Sequence, residues 1–160
     1  MRSSQRGFSL IELLIVVAII LIIAAIAIPN LMRSRIAANQ ASAIASCRVL
    51  NTAEVTYASS YSIGFSSTLL QLGPPASGPV SESAAGLLDS VLASGAKSGY
   101  SFAYAPTIPD TRGFYNGYNI NAAPTQVGIS GTSYYFTDQT YVIRGNPTGT
   151  ASAADSPIAN

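Results

Sequence analysis

The chain has no histidine, no tryptophan and a single cysteine, Cys47. Without histidine there is no Ser-His or Cys-His nucleophile pair and no imidazole-ligated metal. One cysteine rules out an internal disulfide. Charge is scarce too: Asp, Glu, Lys and Arg make up 9% of the 160 residues, against about a quarter in soluble domains. The seven acidic residues form no pair at catalytic spacing. Asp89, Asp110 and Asp138 stand apart with no D-x-D-x-D loop, which speaks against a calcium site. The eight basic residues are scattered and the net charge is +1, whereas binding nucleic acid requires clustered Lys and Arg. The composition therefore points away from an enzyme and indicates no cofactor, metal or nucleic-acid partner.

What the chain does have is concentrated apolarity. Leu13 to Ile28 is an unbroken hydrophobic run, and back to Phe8 only Ser9 and Glu12 interrupt it. A helix over residues 8–28 is about 30 Å long, enough to cross the hydrocarbon core of a bilayer. An ordinary membrane anchor and a secretory signal peptide are the simple readings. The run is longer than a usual signal-peptide core, and the Ile28-Pro29-Asn30 that follows is a poor cleavage site. Glu12 is the residue a plain anchor does not explain. A carboxylate central in such a segment costs about 2.5–3.5 kcal/mol on insertion, less near an end. Arg6 precedes it closely enough for a local interfacial pair, and no basic residue lies inside the run.

The string Arg6-Gly7-Phe8-Ser9-Leu10-Ile11-Glu12-Leu13 resembles the class III signal of type IV prepilins and of type II secretion pseudopilins. The resemblance covers the first third of the chain. It implies a basic leader over residues 1–7, removed by a membrane peptidase between Gly7 and Phe8, and N-methylation of Phe8 by the same enzyme. It makes Glu12 the fifth mature residue, available to the cationic amine of a neighbouring subunit. The implied partners are further copies of the chain in a helical filament, the prepilin peptidase/methyltransferase, an inner-membrane assembly platform and, before assembly, the membrane itself. Arg2 and Arg6 before the span balance Arg33 and Arg35 after it, so the positive-inside count is a tie. The resemblance breaks the tie, implying a single-pass inner-membrane protein with its head in the periplasm. After assembly it would lie in an extracellular pilus or a periplasmic pseudopilus.

Residues 8–30 are thus expected to form the transmembrane or filament-core helix. Pro29 either ends it or, because Asn30-Leu31-Met32-Arg33 resumes a helical composition, kinks it; the resemblance favours a bend. Over residues 31–61 the chain turns Ala-rich and amphipathic. Ala43, Cys47, Leu50, Ala53, Tyr57 and Tyr61 recur at helical steps and predict one face packed on a head domain. Cys47, on that face, reads as a small buried hydrophobe.

Residues 62–160 read as the head. Gly73-Pro74-Pro75 and Gly78-Pro79 mark a loop. Leu87, Leu88, Val91 and Leu92 predict a short helix closed by Gly95. Alternation over Tyr100–Tyr104, then Tyr118–Ile120, Tyr134–Phe136 and Tyr141–Arg144, predicts three to four antiparallel strands, the last two as a hairpin across residues 137–140. The tail from Asn146 is expected to be irregular or mobile. The fold class is α+β, a long N-terminal helix on a small antiparallel sheet. The leading function is a structural subunit of a type IV pilus or related filament, in adhesion, attachment or motility. A type II secretion pseudopilin is the alternative, though the Gly-Trp-Pro-rich signature of the major pseudopilin is absent. A membrane-anchored periplasmic binding protein that never polymerises is the third reading. The aromatic residues, all Tyr and Phe, are accounted for by strands and the helix-to-head interface rather than by conduction.

Overall fold

The structure, a computed structural model, describes residues 8–158. It comprises two compact units, Met1–Arg35 and Ile36–Asn160. One helix, α1 (Leu10–Tyr61, 52 residues), contributes to both. Leu, Ile and Ala dominate its first half, and no glycine breaks it. Pro29 lies inside α1, so it does not end the helix. Proline removes a single N–H from the ladder, and the flanking turns hold the helical path. Over residues 10–32 the Leu, Ile, Val and Met side chains are exposed, among them Leu14 at 61% and Ile22 at 63%.

The second unit is a helix-on-sheet layer. After α1 come α2 (Leu69–Leu72), α3 (Ser90–Ala93) and five strands: β1 (Ala96–Lys97), β2 (Tyr100–Pro109), β3 (Tyr115–Pro124), β4 (Tyr134–Asp138) and β5 (Arg144–Asn146). The strands pair antiparallel in the order β1-β2-β3-β4-β5, a simple meander. The class is the α+β arrangement that the sequence implies, with five strands instead of three or four. On the buried side of α1, Ala43, Cys47, Leu50, Ala53 and Tyr57 join a core with Tyr100, Phe102, Tyr118 and Ile120. Each of these is at most 5% exposed.

Several boundaries differ from the sequence reading, each for a local reason. The β2–β3 ladder is twice as long as the alternating aromatics suggest, because proline does not stop it. Pro106 pairs opposite Tyr118 and shares the parity of Phe102, whose N–H points away from β3 to the carbonyl of Gly95. The missing donor of Pro106 therefore costs the β2–β3 ladder nothing. Leu87 and Leu88 do not belong to the short helix: both donate backbone N–H groups to the carbonyl of Leu72. The helix starts instead at Ser90, where the Asp89 carboxylate accepts from Leu92 N at 2.8 Å as an N-cap. The final hairpin is displaced by about three residues. Asp138 accepts from Thr140 N and Tyr141 N, and the chain turns with Tyr141 at φ +63°. Tyr141 to Ile143 are used by this turn, and pairing resumes only at Arg144, opposite Phe136.

Among the described residues the C-terminal tail lacks helix or strand and is hydrogen-bonded to β5 and the segment before it. Gly145 N donates to Ser156 O and Ile158 N to Ile143 O, at 3.2 and 2.9 Å. Arg144 Nη1 reaches Asp155 O at 2.8 Å, and Asn146 Nδ2 reaches Asp155 Oδ1 at 2.9 Å. The tail thus covers the otherwise open edge of β5, where unpaired backbone groups would invite association.

Candidate functional site

Gly7, one half of the expected cleavage site, lies outside the described residues, as does Arg6. The other half, Phe8, is 73% exposed just before α1. Glu12 sits in the first turn of the helix. Its Oε2 accepts from Ser9 N at 2.9 Å, and Ser9 O accepts from Leu13 N at 3.2 Å. Ser9-Leu10-Ile11-Glu12 is thus a capping-box sequence, with the acid at the third helical position bonded back to the N-cap backbone. A carboxylate there also faces the positive end of the helix dipole. Among the described residues this is the only hydrogen bond Glu12 accepts, and its side chain is exposed. The carboxylate is therefore held at one end of an apolar rod with lone pairs left for a cationic donor.

Pro29 and Glu12 share one helix, but nothing in the geometry of the chain brings them together. Asp89, Asp110 and Asp138 stay apart and have local duties. Asp89 caps α3 and pairs with Lys97 at 2.8 Å. Asp110 accepts from Arg112 N and Phe114 N, and Asp138 holds the turn already described. Bonding to Lys97 and Leu92 holds Asp89 below the ordinary carboxylate range. Phe114 N and Arg112 do the same for Asp110. Among the described residues no three His, Cys, Asp or Glu gather in a way that would hold a metal.

The head contains a polar seam that the sequence reading passes over. Ser46, Asn51 and Glu54 lie on the same buried face of α1 as Cys47, Leu50 and Tyr57. Glu54 has no exposed surface. Its Oε1 accepts from Ser66 Oγ at 2.7 Å and its Oε2 from Ser66 N at 3.0 Å. Tyr104 OH closes the group by donating to Ser66 O at 2.7 Å. Asn51 Oδ1 accepts from Tyr118 OH at 2.9 Å, and its Nδ2 donates to Thr137 Oγ1 at 2.9 Å. Burial pushes the Glu54 carboxyl above its usual value despite the Ser66 bonds. Burial likewise pushes the Cys47 thiol up to about 12, so it is an inert core group at neutral pH. The signal for this seam was available: residues 43, 46, 47, 50, 51, 53, 54 and 57 keep the i, i+3, i+4 spacing of one stripe.

Residues 2–28 match the family model described as the prokaryotic N-terminal methylation motif. The chain is 50% identical over 53 residues to the type IV major pilin protein PilA of Myxococcus xanthus (strain DK1622). That similarity covers 33% of this chain and 24% of the relative, so the match spans about a quarter of the relative's length. No solved structure matches the chain.

Proposed function

Starting from a chain that is type IV pilin-like in its N-terminal third, we propose that it is a prepilin whose mature form polymerises through α1 into a pilus or pilus-like filament. The observation that carries this reading is the exposed Glu12 carboxylate inside an exposed apolar helix, within the segment that matches the methylation motif. In this reading the peptidase cuts between Gly7 and Phe8 and methylates Phe8. The new amine has a pKa near 8 and is mostly cationic at neutral pH. In a low-dielectric surrounding, a cationic amine on one subunit and Glu12 on the next attract strongly, and pairing relieves the desolvation of both. That pairing sets the axial register of subunits whose apolar helices pack side by side. Before assembly the same helix anchors the protein in the inner membrane with its head in the periplasm. Pro29 supplies a weak point at which α1 bends on packing.

Mass spectrometry of the N-terminal peptide from sheared surface filaments tests the reading. A dominant peptide beginning at Phe8 with one added methyl is expected. Absence from the filaments, together with a membrane form that still begins at Met1, would leave a plain anchor as the better account. A methylated form confined to the cell envelope would move the function to a secretion pseudopilus.

A further inference from the structure

The head carries a cleft of about 270 Å³ beside the end of α1 that the filament reading does not use. Several segments build it. Tyr57 comes from α1, Phe65 from the loop after it, and Phe114 and Tyr115 from the turn into β3; Gln71 and Glu82 complete the wall.

The walls are fixed before any ligand arrives. Phe65 N donates to Tyr115 O at 2.8 Å, and the two residues form an isolated antiparallel bridge. Gly64 permits this approach: its φ is +83°, and a Cβ there would clash with the carbonyl oxygen of Tyr115. The Phe65 ring stands edge-on to Tyr118 at 4.9 Å. The Asp110 carboxylate holds the turn by accepting from Phe114 N at 2.9 Å. On the far side, Tyr57 OH donates to the carbonyl of Glu82 at 2.8 Å, which fixes the Glu82 segment against the aromatic wall.

Charge decides what such a cleft takes. No Lys or Arg lines it, and Glu82 is its single charged side chain. Neither ion pair recorded among the described residues, Lys97–Asp89 and Arg112–Asp110, uses Glu82. Gln71 Oε1 is already engaged by Ser67 N and Ser67 Oγ, so the unsatisfied capacity left is dominated by a negatively charged acceptor. Phe114 already serves as a platform for positive charge: the Arg112 guanidinium sits 5.2 Å from its ring centroid. Aromatic rings and a carboxylate that line one cleft together attract an alkylammonium ion through ring quadrupole and charge.

We propose that this cleft is a binding site for an alkylammonium group, either a lysine-type side chain of a protein or a quaternary ammonium headgroup. The test uses the full chain in an uncharged polyoxyethylene detergent, with tetramethylammonium and Nα-acetyl-lysine amide titrated separately and followed by NMR. Saturable shifts are expected at Phe65, Glu82, Phe114 and Tyr115. Glu82→Gln, at an exposed position, should leave the spectrum of the fold intact and weaken binding about tenfold, or about 1.4 kcal/mol. Tighter binding of tetramethylammonium than of the lysine analogue assigns a headgroup, and the reverse assigns a protein side chain. The uncharged isostere 3,3-dimethylbutanol should bind at least several-fold more weakly than tetramethylammonium. Three results would overturn the proposal: no saturable shift with either cation, equal binding of the uncharged isostere, or unchanged affinity in Glu82→Gln.

Discussion

Two glutamates on the same helix occupy opposite environments, and each is informative at the level of its own contacts. Glu54 is fully buried with both oxygens bonded to Ser66, while Glu12 is exposed with one hydrogen bond to Ser9 N. Burial raises the Glu54 carboxyl above its unfolded value of about 4.3. The fold therefore favours its protonated form. The resulting stability is fully present below the unfolded value and is lost as pH rises through the higher folded one. Tyr57, Tyr104 and Tyr118, the other titratable groups around it, all titrate higher than a free tyrosine and stay neutral over that window. Asp89, Asp110 and Asp155 are held below their ordinary values and contribute with the opposite sign, so the informative quantity is a difference. Thermal unfolding of the full chain in detergent between about pH 4 and pH 8 should show the wild type losing ground against Glu54→Gln as pH rises. Parallel pH profiles for the two proteins would show that Glu54 does not titrate in this way. For Glu12 the proposed role is between subunits. Glu12→Val should remain processed and membrane-resident while surface filaments drop sharply, as read by shearing and immunoblotting; normal filament yield would remove Glu12 from the assembly step.

At the scale of elements, legibility followed the strength of the local pattern. The apolar run, the helical stripe from Ala43 to Tyr57 and the alternating aromatics of β2 could be read directly, because each periodicity has one compatible partner surface. The head's punctuation was harder. Pro106, Pro109 and Pro124 suggest breaks, yet they lie within or at the ends of long strands, since only the direction of the missing N–H matters. Helix α2 has four residues, too few to show any period. The seam of Asn51 and Glu54 escapes a reading that follows only the apolar members of the stripe, although their spacing places them inward. The Glu12 motif was legible because its residues are neighbours in sequence; the cleft around Glu82 was not, because its walls come from residues 57–71, 82–83 and 113–115. The stripe itself can be weighed. Leu50 is 0% exposed and sits in the core cluster between α1 and the sheet. Leu50→Ala should cost about 2–5 kcal/mol through lost transfer energy and the cavity left behind. Chemical denaturation in detergent would measure it as a lower midpoint with an unchanged slope. A loss under about 1 kcal/mol would mean that α1 does not pack on the sheet as described.

At the scale of the whole molecule, the division into Met1–Arg35 and Ile36–Asn160 separates two ways of satisfying apolar surface. The second unit buries its own, around Leu50, Leu72, Leu92 and Ile120, all 0% exposed. The first unit buries almost none: from Leu10 to Ile28 its Leu, Ile and Val side chains are between 45% and 79% exposed. Each such side chain gains about 1.5–3 kcal/mol on full burial. Together these fourteen side chains form a contiguous exposed apolar surface of an extent that is not stable in water and calls for an apolar partner; under the proposed function a bilayer and then other copies of the helix supply it. The two units should therefore part company when the chain is divided. A variant comprising residues 36–160 should remain monomeric in detergent-free buffer, with the amide-exchange protection of the β2–β3 ladder retained. The full chain should enter liposomes or self-associate under the same conditions. Light scattering and hydrogen exchange read the two expectations separately. If the variant aggregates or loses protection in β2 and β3, the head depends on the first half of α1 for its stability, and the apolar helix would be part of the fold rather than solely its means of association.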